Sequence, residues 1–434
     1  MSKSKQHFRY IDLFAGCGGL SEGFESSGKF CGVAHVEWEN APLKTLISRL
    51  KNKWGYSDAE NRAVHMDIQQ SEALFAGNCV EKFQKNVGLD NLIGSTMTTD
   101  VIIGGPPCQA YSMAGRIRDQ HGMQLDYRNF LFESYLRVVA RYRPSLCVFE
   151  NVPGMLSAKP GGIQISDRIT HAFQAIGYQV PADFSSCIIQ MSDFGVPQKR
   201  SRVILLAVRS DLVNGNGTEY LNKFYSELLP SQRPRKSPTV RDTIGNLPPL
   251  LPRKNPTIVD GRRHSHFIGT TNIDEHVPRF HSNRDQSIFR DLAIDAQRSS
   301  PRYKSVDALK QLYTERTGRT SAVHKYSVLQ PNGKSNLIPA HLYKDGLRHI
   351  HFDPKQARSI TVREAALLQG FPMDFEFCGA QGDKYKMIGN AVPPIFAHHL
   401  ANAVSCALLA LGTQVRGLKK HEQATQIVKK AQKR

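Results

Sequence analysis

An apolar run, Phe8 to Phe14, breaks abruptly into Ala15-Gly-Cys-Gly-Gly19, and a helical stretch follows near Leu20 to Ser27. A strand that empties into glycines opening a helix lets the backbone approach a ligand closely, and it commits the chain to strand-then-helix layering. The theme recurs. Cys31–Val36 and Asp100–Gly104 read as strands, and Asn129–Tyr142 has the 3.6-residue apolar period of a helix. Leu146–Glu150 and Arg202–Arg209 read as further buried strands. This alternation predicts an α/β fold built on a doubly wound, mostly parallel sheet.

The pattern changes after Arg209. Between Arg253 and Arg358 the apolar pieces are short, turn residues are frequent, and no long periodic helix is legible. That stretch holds 19 Lys plus Arg, 10 Asp plus Glu and 8 of the 16 His. It reads as a separate, smaller, loop-rich basic module. Thr361–Gln369 and Ile395–Leu411 read as helices, and 413–434, with seven Lys or Arg and one Glu, reads as a solvated, frayed tail. The expected division is 1–209 for the catalytic and cofactor-binding domain, 210–383 for the smaller domain, 384–412 for the return of the chain to the first, and 413–434 for the tail.

Composition narrows the class of partner. The net charge is +19, from 57 Lys plus Arg against 38 Asp plus Glu, and an excess of that size points to a polyanion, most often nucleic acid. At 40% hydrophobic and 9% aromatic the chain has globular composition. No run approaches the roughly 18 consecutive apolar residues of a membrane span. The first residues lack the apolar core of a signal peptide, so the expected location is cytoplasmic. The eight cysteines are never closer than 14 residues, which argues against structural zinc and for free thiols.

Four segments carry chemistry. In Asp12–Gly19 the dinucleotide fingerprint would need Gly where Ser21 stands, which disfavours NAD. Glu37 ends the second strand, where a carboxylate accepts from ribose hydroxyls, and Trp38 beside it offers a face to adenine or simply packs. Asp67 is an acceptor for an exocyclic amine or an ordinary turn residue. The second segment, Gly104-Gly-Pro-Pro-Cys-Gln109, follows a buried strand. Its two prolines stiffen the loop and hold Cys108 at the carboxyl end of the strand, where open α/β sheets place their sites. A thiol there is a nucleophile, whereas Cys31, Cys79, Cys147, Cys187 and Cys406 read as buried. Gln109 to Asp126, with Gly115, Gly122 and four charges, has the composition of a mobile lid. The third segment, Glu150-Asn-Val-Pro-Gly154, ends the next strand on the same edge, where its carboxyl can exchange a proton with a heterocycle or stand as a solvated acid. In the fourth, Gln198-Lys-Arg-Ser-Arg-Val203, period 2 puts Arg200 and Arg202 on one face, suited to phosphate or a base carbonyl, or to a solvated basic edge.

Taken together, the set resembles the C5-cytosine DNA methyltransferase family, from about Tyr10 to Pro394. The matching motifs are Phe14-x-Gly16-x-Gly18, Pro-Pro-Cys108, Glu150-Asn-Val, Gln198-x-Arg200-x-Arg202, Asp126-Tyr-Arg128, Arg363-Glu-Ala-Ala-Leu-Leu-Gln-Gly-Phe-Pro372 and Gly389-Asn-Ala-Val-Pro393, in the family's order. The resemblance implies a Rossmann-like, S-adenosylmethionine-dependent methyltransferase with a target recognition domain. Phe14, Gly16, Gly18, Glu37, Trp38, Asp67, Pro106 and Asn390 would line the S-adenosylmethionine pocket. Cys108 would attack C6 of a cytosine flipped from the helix, Glu150 would bond its N3 edge, and Arg200 and Arg202 would hold its O2 side. Ser112, Arg262, Arg279, Arg302 and Arg319 would contact DNA. No metal is implied. The implied partner is double-stranded DNA, met by a monomer without a membrane, with a cognate restriction endonuclease acting on the same site without a stable complex. Met66 stands where the family often has Gly, and Tyr111 where Phe is common.

Rival readings are an RNA cytosine methyltransferase on the same scaffold, a non-catalytic DNA-binding protein that kept the fold, and an unrelated Cys-His hydrolase. Intact Cys108 and Glu150 argue against the second. The third would not need the Phe-x-Gly-x-Gly loop with Glu37.

Overall fold

The computed structural model describes residues 7–77, 87–94, 98–106, 131–159, 162–259, 261–267 and 273–431, with side chains as far as 412. The chain forms two compact units. The first takes residues 1–190, 201–233 and 394–434; the second takes 191–200 and 234–393. These boundaries differ from those expected at 209 and 383. Residues 210–233 stay with the first unit, where the Tyr220 hydroxyl donates to the Ala407 carbonyl at 2.8 Å. The segment to 393 stays with the second, where Gly389 lies so close to Pro339 and Ala340 that a Cβ would approach them to 2.4 Å.

In the first unit, strands β1 (Phe8–Leu13), β2 (Phe30–Glu37), β3 (Ala63–His65), β4 (Val101–Gly104), β5 (Leu146–Asn151), β6 (Tyr178–Gln179), β7 (Ile188–Gln190) and β8 (Ser201–Arg209) form one sheet. Its order is β3-β2-β1-β4-β5-β8-β6, with β7 also on β8. Strand β1 runs parallel to β2 on one side and to β4 on the other, so the winding reverses direction between β1 and β4. Strands β4 and β5 are parallel, in register from Val101↔Leu146 to Gly104↔Phe149. Strand β8 is antiparallel to β5, pairing Leu146↔Val208 through Asn151↔Val203. The apolar runs Val101–Ile103, Leu146–Phe149 and Val203–Val208 are wholly buried, as strands covered on both faces must be.

Helices cover the sheet: α1 (Gly19–Ser26), α2 (Asn40–Asn52), α3 (Leu131–Tyr142) and α4 (Ile165–Ala175). The apolar period of α3 buries Leu131, Tyr135, Leu136, Val138 and Val139. The Tyr135 hydroxyl lies 3.2 Å from both the Ile102 and Val148 carbonyls, tying β4 to β5.

The second unit overturns one expectation. The stretch read as loop-rich, with no long periodic helix, contains α5 (Asn283–Asp295) and α6 (Val306–Thr317). Their apolar faces are thin: α6 buries only Leu312, and α5 adds Ile288, Phe289 and Leu292 to the same small cluster. Caps define these helices better than periodicity does. Ser282 and Ser305 accept from the N–H groups of Asp285 and Ala308, and Gly318 closes α6 in the left-handed conformation. Strands β9 (Pro252–Val259) and β10 (Arg262–His266) form an antiparallel hairpin. Helices α7 (Val362–Leu368) and α8 (Gln381–Asn390) follow.

Helix α9 (Pro394–Ala431) returns to the first unit and runs on through the stretch read as frayed. Residues 413–431 hold no proline and are rich in Lys, Gln and Ala, which favour helix. The span Gln381–Gly412 is long and apolar enough to cross a membrane by length and composition alone. Phe396, Ala397, Leu400, Ala401, Val404 and Ala407 are nonetheless buried, and a Cβ on Gly23 of α1 would meet that of Ala397 at 2.3 Å. It is a core helix.

A buried ion pair centres the second unit. Arg358 donates to both Glu364 carboxylate oxygens at 2.6 and 2.7 Å, and Thr361 and Glu364 form a capping box on α7. Burial alone would raise Glu364, but the Arg358 guanidinium outweighs it and holds the carboxyl at about 2. Burial lowers His281 to about 3 and His266, His349 and His351 to about 4. These histidines are neutral when folded and take up protons once unfolded. Stability of this unit is therefore full above about pH 6.5 and is lost as pH falls toward 4, with Glu364 adding loss below about 4.5. Hydrogen exchange corrected for intrinsic rates is expected to show peptides from 281–295 and 347–364 opening more at pH 5 than at pH 7.5. Peptides of β1 and β2 are expected to lack that trend. Their two buried carboxyls, Asp12 and Glu37, are raised to about 7 by burial, contribute with the opposite sign, and together outweigh His35 of β2, which burial lowers to about 3.

Candidate active site

The carboxyl edge of the first unit's sheet gathers most of the sequence candidates, at the reversal between β1 and β4 where open α/β sheets bind ligands. After β1 the backbone turns sharply: Phe14 has φ 62°, Gly16 57° and Gly18 88°. Phe14 is the unusual member, because a bulky side chain rarely adopts that region and such strain gathers at functional sites. Gly18 is also required by packing, since a Cβ there would meet Leu46 Cδ1 at 2.8 Å. At Gly16 a Cβ would meet nothing within 4 Å, which leaves open space beside the loop.

Glu37 organises this corner. Its Oε2 accepts from the Gly16 N–H at 2.8 Å, and its Oε1 from the Trp38 and Glu39 N–H groups at 2.9 and 2.7 Å. Burial pushes the carboxyl up to about 7, against backbone donors that favour its charged form. Glu37 is thus first a tie between the β1–α1 loop and the exit of β2, a role that sequence reasoning missed; its remaining lone pairs are what a ribose would use. The Trp38 indole is 53% exposed, so it is not a core residue. Open glycine backbone, an acceptor carboxylate and a bare aromatic face together fit a nucleoside. Asp67 is half-buried and its Oδ1 accepts from the Gln69 N–H at 3.0 Å, so it shapes its own turn. Pro106 is buried after β4.

A further buried group lies beneath the loop. Ser21 donates to Asp12 Oδ2 at 2.6 Å and meets His35 Nδ1 at 2.9 Å. All three residues are buried, so this Ser-His-Asp set is part of the core rather than a nucleophilic triad.

Glu150, near the end of β5, carries an ion pair with Arg202, Nε to Oε1 at 3.0 Å, both side chains 13% exposed. The antiparallel direction of β8 makes this pair: it brings the start of β8 against the end of β5, with Glu150↔Ile204 and Asn151↔Val203. Gly105 completes the fit, because a Cβ there would lie 2.7 Å from Glu150 Oε2. Cys108, Ser112, Tyr111, the expected lid and Asp126-Tyr-Arg128 lie outside the described residues, as does Cys79.

Arg200 takes a different course from Arg202. It belongs to the second unit, is 1% exposed, and points its guanidinium at the carbonyls of Ile338, Gly389 and Ala391 at 3.1–3.4 Å. Gln198 bonds Gln369 Oε1 at 2.5 Å and the Ile338 N–H at 3.0 Å, and Gln369 bonds the Ala391 carbonyl at 2.6 Å. The Gln-x-Arg motif and the Gly-Asn-Ala motif thus meet in one buried polar junction. Asn390, at the end of α8, is exposed within this unit. Of the basic candidates, Arg262, Arg302 and Arg319 are exposed. Arg279 donates to the Leu342 and Tyr343 carbonyls and lies 4.0 Å from the Tyr385 ring, so its guanidinium is engaged internally.

Comparison with known proteins agrees with this geometry. The family model described as C-5 cytosine-specific DNA methylase matches residues 8–406. The Type II methyltransferase M.Bpa9945I of Bacillus paralicheniformis is 33% identical, over 91% of this chain and 98% of its own length. The Type II methyltransferase M1.HphI of Haemophilus parahaemolyticus is 30% identical, over 91% of this chain and 86% of its own. A candidate DNA modification methyltransferase encoded within an Escherichia coli prophage shares the fold, with a TM-score of 0.59 and 23% identity over 92% of this chain and 99% of that one. With the Phe14–Gly18 loop, Glu37 and Glu150 at the sheet's carboxyl edge and a family match that spans nearly its whole length, the chain belongs to the C-5 cytosine-specific DNA methylases.

Proposed function

We propose that this protein transfers a methyl group from S-adenosylmethionine to C5 of cytosine within a specific double-stranded DNA sequence, through a covalent Cys108–C6 adduct on a flipped base. The observation that carries the reading is the Glu150 carboxylate, fixed by Arg202 at the sheet's carboxyl edge and packed on Gly105, three residues before Cys108. The physiological role is protection of host DNA from a cognate restriction endonuclease, by a cytoplasmic monomer. The Type II methyltransferases among its relatives support that role.

C5 of cytosine is a poor nucleophile. A thiolate adding at C6 turns the ring into an enamine and makes C5 reactive. Glu150 supplies a proton to N3 as electron density moves there, and Arg202 orients that carboxyl. Loss of the C5 proton to a base then expels Cys108, and return of the N3 proton to Glu150 restores the neutral aromatic ring. The cytosine leaves the stack because attack comes from above its plane. S-adenosylmethionine supplies an electrophilic methyl on sulfur when bound; Glu37, Trp38 and the Phe14–Gly18 loop would hold it, with Asp67 and Pro106 completing this side of the pocket. Within the second unit, Arg200 fixes the backbone on which Asn390 stands.

Two experiments test the reading. With 5-fluorocytosine at the target position, fluorine cannot leave as a proton does, so the Cys108 adduct persists. A denaturation-resistant protein–DNA complex is expected, dependent on S-adenosylmethionine, mapping to the peptide that contains Cys108 and absent in Cys108→Ser. Failure to trap any adduct with a preparation that methylates normal DNA would refute the covalent route. Gly105→Ala is expected to leave cofactor affinity and thermal stability near those of the unaltered protein while lowering kcat on the order of 10²-fold, because the new methyl displaces the Glu150 carboxylate. An unchanged kcat would remove Glu150 from the chemistry.

A further inference from the structure

In the reaction proposed above, Cys108 and Glu150 act on opposite atoms of one ring, C6 and N3. The chemistry therefore needs a fixed distance between the segments that bear them. These segments leave neighbouring parallel strands. The register of β4 and β5 ends at the Gly104↔Phe149 pair. Beyond that pair the chain runs through Gly105 and Pro106 toward Cys108 on one strand, and through Glu150 on the other. Pairing thus stops one residue short of the groups whose separation matters.

One side chain reaches both strand ends. Tyr135 of α3 is fully buried, and its hydroxyl lies 3.2 Å from the Ile102 carbonyl on β4 and 3.2 Å from the Val148 carbonyl on β5. A single O–H···O bond is usually about 2.7–2.8 Å, so the longer pair fits one proton shared between two acceptors. Burial holds the phenol well above its ordinary range, which keeps the hydroxyl a donor. The ring is placed as closely. A Cβ on Gly104 would meet Tyr135 Cε2 at 3.2 Å, and the Phe149 ring stands edge-on with its centroid 5.6 Å away. Tyr135 therefore touches the last paired residue of each strand. Successive residues of a strand face opposite ways, so Gly104 and Phe149 face Tyr135 while Gly105 and Glu150 face the other side. There a Cβ on Gly105 would lie 2.7 Å from Glu150 Oε2.

We propose that Tyr135 is a positioning residue for methyl transfer: by sharing its hydroxyl proton between β4 and β5 it sets the separation of the Cys108 segment from the Glu150 carboxylate. This rests on the function proposed above. Without that proton, two carbonyl oxygens of like partial charge are left beside each other in a buried space, and the strand ends ease apart. A misplacement of about 1 Å between reacting groups costs on the order of 10²-fold in rate, so a fraction of that shift costs about 10-fold. Tyr135 lies beneath the strands rather than at the open space beside Gly16, so the loss falls on the chemical step and leaves cofactor binding intact.

The test compares the full-length protein with Tyr135→Phe, with 4-aminophenylalanine in place of Tyr135, and with Tyr178→Phe. Tyr178 is the control: it is equally buried, and its hydroxyl donates at 2.6 Å to the Pro144 carbonyl, at the amino end of β5 and away from Glu150. Single-turnover methylation is measured on a duplex that the unaltered protein methylates, with affinities for S-adenosylhomocysteine and for that duplex alongside. Tyr135→Phe is expected to slow methyl transfer about 10-fold, and adduct formation on 5-fluorocytosine by the same factor, with both affinities within about twofold of the unaltered values. Tyr178→Phe is expected to leave the rate unchanged. The 4-aminophenylalanine protein, with an N–H for each carbonyl, is expected to recover most of the rate. Should Tyr135→Phe not fold, that protein decides: a folded form that stays slow overturns the proposal. An unchanged rate in Tyr135→Phe, equal slowing by Tyr178→Phe, or a parallel loss of cofactor affinity overturns it too, the last two marking general loosening of the sheet. If the unaltered protein methylates no duplex, the function itself fails and the inference falls with it, an outcome distinct from the others.

Discussion

The active edge depends on one constraint of topology: β1 has β2 on one side and β4 on the other. The chain leaving β1 is carried to one side of the sheet and the chain leaving β4 to the other, which opens a crevice at their carboxyl ends. The Phe14–Gly18 loop and the Gly104–Pro106 segment both begin there. Within it Glu37 acts as the fastener. Three backbone N–H groups converge on its carboxylate, which holds the loop around the space left open at Gly16. The residue expected to meet a ligand also fastens the loop beside it.

A second constraint is the reversal of β8. In a wholly parallel sheet the start of β8 would lie at the amino edge, far from Glu150. Running antiparallel, it delivers Arg202 to Glu150. Two residues earlier, Arg200 is spent on carbonyls of the second unit. The alternation that puts both arginines on one face holds only inside a strand, and β8 starts at Ser201. Arg200 lies before it, so the period no longer governs where its side chain goes.

The two units are held by different means. The first rests on apolar strands buried on both faces. The second has a thin apolar cluster and relies on buried polar groups: the Arg358–Glu364 pair, the Gln198–Gln369 junction and neutral histidines. Such interiors specify geometry well but are vulnerable where a buried group must change charge.

The sequence by itself determined the α/β sheet and the strand ends that bear Glu37 and Glu150. Strands covered on both faces must be continuous apolar runs, and glycine is needed where φ is positive, so both are written in residue type. It did not determine α5 and α6, whose few buried residues leave almost no period and whose serine caps were the better signal. Nor could it determine that Arg200 and Arg202 part company, that Glu37 is tied to backbone, or that basic residues sit on a β-ribbon. Those outcomes depend on strand direction and on which carbonyls lie within reach after folding. Only the tertiary structure decided them, because a charged side chain goes to whichever partner the packed chain leaves nearest.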